Sequence, residues 1–170
     1  MVHRIYLVGL ISSNIETHEW RYRVERMLLP RTKYVVSNPI RSKYDQELKK
    51  KYGGGEDNEF YSAQLEEDRA PSLLVPKSYA EVFDCDVIIA NFDLVGERPM
   101  VGSIFELAWA WQLHKPVVAI HSGENHNDSK HPCEDKRNNL YVVHPFVKLA
   151  VTHWAKSEEE AVQAVKRHFV

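Results

Sequence analysis

The run Gly102-Ser103-Ile104-Phe105-Glu106 sets a carboxylate at the start of an apolar helical stretch. Two readings fit it. Ser103 can cap the helix, with Glu106 closing a capping box. Alternatively, a carboxylate in the first helical turn is kept ionised by the helix dipole. It could then attack an anomeric carbon, as the nucleophile of retaining glycosidases does. The same Ser-x-x-Glu spacing occurs at Ser78–Glu81 and Ser157–Glu160, so spacing alone leaves both readings open. Other chemistries have less behind them. Gly9 opens no Gly-x-Gly-x-x-Gly, and neither Gly-x-x-x-x-Gly-Lys-Ser/Thr nor Gly-x-Ser-x-Gly occurs. This counts against dinucleotide redox chemistry, P-loop hydrolysis and an α/β-hydrolase triad. His121, His126, His131 and Cys133 share one polar stretch but match no finger or ribbon spacing, and no metal is expected. Lys49-Lys50-Lys51 could meet a phosphate or form a solvated face.

The elements that must position Glu106 are legible as apolar runs. Ile5-Tyr6-Leu7-Val8, Tyr34-Val35-Val36, Val87-Ile88-Ile89-Ala90 and Pro116-Val117-Val118-Ala119-Ile120 read as strands, with a weaker fifth at Leu140-Tyr141-Val142-Val143. Short β-rich runs without polar alternation are typical of parallel sheets covered on both faces. Helices are expected over 16–29 (Trp20, Val24, Met27 and Leu28 at helical spacing), 78–83, 103–114 and 157–169. The alternation predicts one domain over 1–170 with a three-layer, flavodoxin- or Rossmann-like α/β fold. It has a mostly parallel five-stranded sheet and helices on both faces. Two polar stretches, 37–57 and 122–139, are left as long loops, the first a flap or a plain solvated excursion. In such a sheet ligands bind at the carboxyl ends of the strands where the strand order reverses. With flavodoxin-like order that point lies between the first strand and the Val87 strand. It gathers Tyr6, Gly9, Ile11, Ser12 and Ser13 from one side and Asn91, Asp93, Ser103 and Glu106 from the other.

Composition narrows the class of partner. The 170 residues carry 22 basic and 24 acidic side chains, a formal net charge of −2. No general field attracts a nucleic-acid polymer or an anionic membrane. At 44% hydrophobic and 27% charged the chain can form a packed core. No apolar run approaches the length of a membrane span. The opening residues enter a strand without a secretory leader's apolar stretch. Cys85 and Cys133 are the only cysteines, which suits a reducing compartment, and a cytoplasmic location is expected.

The series Asp86-Val87-Ile88-Ile89-Ala90-Asn91, Gly102-Ser103-Ile104-Phe105-Glu106-Leu107-Ala108-Trp109-Ala110 and Lys115-Pro116-Val117-Val118 resembles the nucleoside 2-deoxyribosyltransferase family. Ile5-Tyr6-Leu7-Val8-Gly9 with Trp20-Arg21, and the closing Ser157-Glu158-Glu159-Glu160-Ala161, are similar to its first strand and helix and its last helix. The resemblance implies cleavage of an N-glycosidic bond through a covalent glycosyl-Glu106 intermediate, with Tyr6 orienting the carboxylate and the sugar passed to another base. It implies no cofactor, a small nucleoside or nucleotide as substrate, and a homo-oligomer, in which Trp109 or Trp111 serves a subunit contact. Related enzymes hydrolyse nucleoside 5′-monophosphates, for which Ser12, Ser13 and Ser103 are phosphate-binding candidates. The chain departs from the family twice. Ser78 stands where an aspartate commonly contacts the base, and Met100 where an acidic residue or serine lies near the sugar. Asp93 is a candidate replacement. With Gly9, Ile11, Asn91 and Gly102, these positions make up the expected substrate-binding set. The same departures motivate an alternative, a non-catalytic nucleotide sensor on this fold.

Overall fold

Each of the four stronger apolar runs forms a strand in the computed structural model, which describes residues 2–10, 16–29, 32–39, 71–93, 100–122 and 144–169. The strands are β1 (His3–Gly9), β2 (Tyr34–Ser37), β3 (Val87–Asn91), β4 (Val117–Ile120) and β5 (His153–Ala155). The helices are α1 (Glu16–Met27), α2 (Pro71–Asp84), α3 (Val101–Gln112), α4 (Pro145–Ala150) and α5 (Glu158–His168). The sheet runs β2-β1-β3-β4-β5 with every pair parallel. Strand order therefore reverses between β1 and β3, where Tyr6 lies opposite Ile88 and Gly9 opposite Asn91.

Side-chain alternation splits the core into two layers. Tyr6, Val8, Ile88, Ala90, Val117 and Ala119 face α2, α3 and α4 through Val82, Leu107, Ala110 and Val147. Ile5, Leu7, Val87, Ile89, Val118 and Ile120 face α1 and α5 through Trp20, Val24, Leu28, Ala161, Val162 and Val165. Every residue of β3 and β4 is buried, as strands covered on both faces must be. The result is a three-layer α/β fold of Rossmann-like type. Among the described residues no helix is long and apolar enough to cross a membrane.

Three details correct the reading from sequence. The run 140–143 lies outside the described residues, and the strand that pairs with β4 is β5, a stretch with only Ala155 fully buried. The helix expected from Ser78 starts at Pro71 and passes through Pro76, so Ser78 is internal and caps nothing. The helix expected from Ser103 starts at Val101, with Met100 as an N-cap that makes no side-chain cap hydrogen bond. Ser157 does cap its helix: its side chain accepts from Glu160 N–H at 3.2 Å, while Glu160 accepts from Lys156 N–H at 2.8 Å. Helix α3 ends in a Schellman motif, Lys115 N–H to Ala110 C=O and His114 N–H to Trp111 C=O. That motif needs a left-handed residue, and His114 supplies it at φ 54°.

Candidate active site

Tyr6 and Glu106 are a hundred residues apart and meet at the β1–β3 junction. Tyr6 stands on the sheet face that α3 covers, and its hydroxyl donates to Glu106 Oε1 at 2.6 Å. Both are buried. A short bond from a neutral hydroxyl to a carboxylate is the charge-assisted kind. With Met100 as N-cap, Glu106 sits in the second turn of α3, where the helix dipole has largely faded. The capping box and the dipole argument are both set aside by this placement. The ionised form is favoured instead by hydrogen bonds from Tyr6 and Ser78 and by the charge of Arg21. Burial outweighs them, and the carboxyl is held above its ordinary value of 4.5. Burial and the neighbouring carboxylate also push the Tyr6 hydroxyl far above its usual range, so it remains a donor throughout the range in which proteins fold.

Ser78, half-buried on α2, lies beside Tyr6 and Glu106, where its one hydroxyl proton can serve either oxygen. One turn on, Glu81 accepts from Ser37 Oγ at 2.5 Å and also faces Tyr6. Ser78 and Glu81 of one Ser-x-x-Glu pair and Glu106 of another thus act on one tyrosine, whereas the third pair is a cap. A cavity of about 230 Å³ opens between β1, β2 and α2, with Arg4, Ser37, Glu81, Asp84 and Cys85 in its lining; Tyr6, Ser78 and Glu106 do not line it. Burial pushes the Cys85 thiol up to about 12, which keeps it protonated and unreactive at neutral pH.

The remaining candidates divide. Gly9 lies at the end of β1, where an added Cβ would come within 3.0 Å of Trp20 Cζ2 and 3.4 Å of Arg21 Nη2 and Asn91 O. A side chain here would make these groups give way by a few tenths of an ångström. Asn91 Oδ1 accepts from Asp93 N–H at 2.9 Å, and Asp93 Oδ1 accepts from Ser122 N–H at 2.8 Å, with His121 Nδ1 3.3 Å away. These bonds join the ends of β3 and β4; none of them reaches Tyr6 or Glu106. Met100 is buried in the same apolar cluster as Tyr6, Ser103 is buried, and Gly102 is exposed with nothing near its Cβ position. Ile11, Ser12 and Ser13 lie outside the described residues, as do His126, His131 and Cys133. Among the described residues no group of three or more potential metal ligands comes together. Sequence reasoning did not select Arg21 or Glu81 as site residues. For Arg21 the signal was present: a charged residue on the stripe that also carries Val24 and Leu28, where an apolar side chain belongs.

Fold and site together define a Rossmann-like three-layer protein with a buried tyrosine–glutamate pair where the strand order reverses. No protein-family model matches the chain, and no curated protein does. Among solved structures, the chain resembles a conserved protein from Enterococcus faecalis V583, with a TM-score of 0.55 and 15% identity. The likeness spans 98% of this chain and 99% of that one and speaks for the fold alone.

Proposed function

We propose that this protein cleaves the N-glycosidic bond of a deoxynucleoside or nucleotide and transfers the sugar to another base, with Glu106 as nucleophile. The observation that carries the reading is the 2.6 Å bond from Tyr6 to a buried carboxylate beside the switch point, the position where α/β sheets bind ligands. It agrees with the resemblance of the Tyr6 and Glu106 segments to nucleoside 2-deoxyribosyltransferases. Glu106 attacks C1′, the C1′–N bond breaks, and its electron pair leaves with the base, which takes a proton from water. The nitrogen of an acceptor base then attacks C1′, gives up its proton to water and releases the carboxylate. The transition states are oxocarbenium-like, and a close negative charge stabilises them. Tyr6 and Ser78 fix that charge in place. Transfer and hydrolysis differ in whether a base or water meets the intermediate.

The proposal includes a homo-oligomer. Val75 and Phe83 on α2, Val101 and Phe105 on α3, and Phe146 and Leu149 on α4 are all exposed. Exposed apolar groups this concentrated mark an interaction surface. The opposite face carries charged groups such as the Arg23–Glu158 pair and Lys166. A second copy of the chain is the occupant we assign, and Phe105→Glu should lower the mass found by sedimentation.

The test of activity is chromatography of products from deoxynucleosides with a free acceptor base, and separately from nucleoside monophosphates. Exchanged nucleoside is expected in the first mixture. Free base with sugar phosphate in the second would instead make the protein a hydrolase. No product in either, or full activity in Glu106→Ala, would refute the proposal.

A further inference from the structure

Arg21 projects from α1 and is completely buried, at 0% exposure. Its Nη2 donates to Gly9 C=O at 2.9 Å and its Nη1 to Leu10 C=O at 3.3 Å. Its guanidinium carbon lies 4.7 Å from the centre of the Trp20 ring. Nε has no partner among the described residues. Two carbonyls and a ring satisfy some of its N–H groups but do not neutralise its charge, and a buried, uncompensated cation is strongly disfavoured. Among the described residues the buried carboxyl group is that of Glu106; it makes no direct contact with Arg21, and it and Tyr6 are the titratable groups within electrostatic reach of the guanidinium. Those that act on Glu106 are Tyr6 on β1 and Arg21 on α1, with the Ser78 hydroxyl of α2 as a neutral donor and Glu81 of α2 acting on Tyr6. Arg21 is thus the positive group among them, held on the α1 side of the sheet at the carbonyls that follow β1.

We propose that Arg21 is a positioning residue for Glu106: anchored on the carbonyls that end β1, it is the buried counter-charge of the carboxylate and fixes the strand end beside which Tyr6 and Glu106 meet. The inference rests on reading Glu106 as the nucleophile, for which an ionised carboxylate is required. It adds that the charge is held from the α1 side of the sheet, by a residue that does not touch substrate. Burial lowers the guanidinium to about 10, so it remains charged at neutral pH.

Two measurements on the full chain test this. The first is the pH profile of kcat/KM for Arg21→Met and Arg21→Lys. Arg21→Met should move the acid limb upward by about one pH unit, as loss of an opposite charge does, while Arg21→Lys keeps it near the parent's position. A purely structural arginine would lower stability in both variants and leave the limb unmoved, which would overturn the proposal. The second needs neither activity nor an Arg21 variant. In protein labelled with nitrogen-15, the Arg21 Nε–H signal should shift with pH as Glu106 titrates, and the step should vanish in Glu106→Gln. A signal that is flat in the parent, or an identical step in Glu106→Gln, would overturn the proposal. A step seen in a protein that cleaves no nucleoside would uphold the pairing and remove the proposed function.

Discussion

Replacing Tyr6 with phenylalanine removes one hydroxyl and little else. The ring is 1% exposed, and phenylalanine fills the same space. The hydroxyl is a permanent donor, so its loss takes no titrating proton from the neutral range; the effect falls on Glu106. A hydrogen bond to a charged group is worth about 1.5–3 kcal/mol, and one pH unit corresponds to about 1.4 kcal/mol. Burial already holds the carboxyl above 4.5, and Tyr6 is the largest of the influences opposing it. Without that donor the carboxyl rises further, by about 1–2 pH units. The assay is kcat/KM against pH for parent and Tyr6→Phe. The acid limb of the parent should lie above pH 4.5, and that of the variant should lie higher still, so the loss is greatest in acid and shrinks as pH rises. A loss of equal size at every pH would mean that the hydroxyl acts on something other than the charge of Glu106. No loss at all would remove Tyr6 from the site.

Four further outcomes follow from the structure. Because the folded protein holds the Glu106 proton more tightly than the unfolded chain does, the carboxylate costs stability once it ionises. Urea midpoints of the parent should therefore fall relative to Glu106→Gln as pH rises from about 4.5 through the folded value, and a constant difference would contradict the raised carboxyl. His114→Gly should raise the thermal midpoint by about 2–4 °C, since glycine avoids the roughly 1 kcal/mol cost of a left-handed side-chain residue; a lower midpoint would show that the imidazole contributes more than its backbone costs. Gly9→Ala should cost about 1–3 kcal/mol by pressing on Trp20 and Arg21 and alter the near-ultraviolet dichroism. Gly102→Ala, with nothing within 4 Å of the new carbon, should be neutral or stabilising.

Most of the fold was legible because it rests on a simple physical signal. Strands buried on both faces must be continuously apolar, as the inner strands β1, β3 and β4 are; β2, a half-exposed edge strand, was read from its short β-branched run alone. Strand β5 escaped because it is three residues long, with His153 and Trp154 only partly buried and Ala155 fully buried. The site was half legible. Tyr6 and Glu106 could be placed at the switch point from strand order alone, but the three Ser-x-x-Glu pairs look alike in sequence. What separates them is tertiary. Ser157 faces its own helix end, whereas Ser78 and Glu106 face Tyr6 across the layer. Local spacing carries no trace of that difference. Arg21 was hidden for the related reason that its hydrogen-bond partners are backbone carbonyls, which leave no mark in the sequence.

The proposed chemistry depends on a covalent bond between the carboxylate of Glu106 and the sugar. Mixing the protein with a deoxynucleoside, quenching in acid and weighing the proteolytic fragments tests it directly. The fragment that contains Glu106 should gain the mass of one deoxyribosyl group, and the gain should be absent from Glu106→Gln. Release of free base with every fragment unchanged, or with the sugar on another residue, would contradict it.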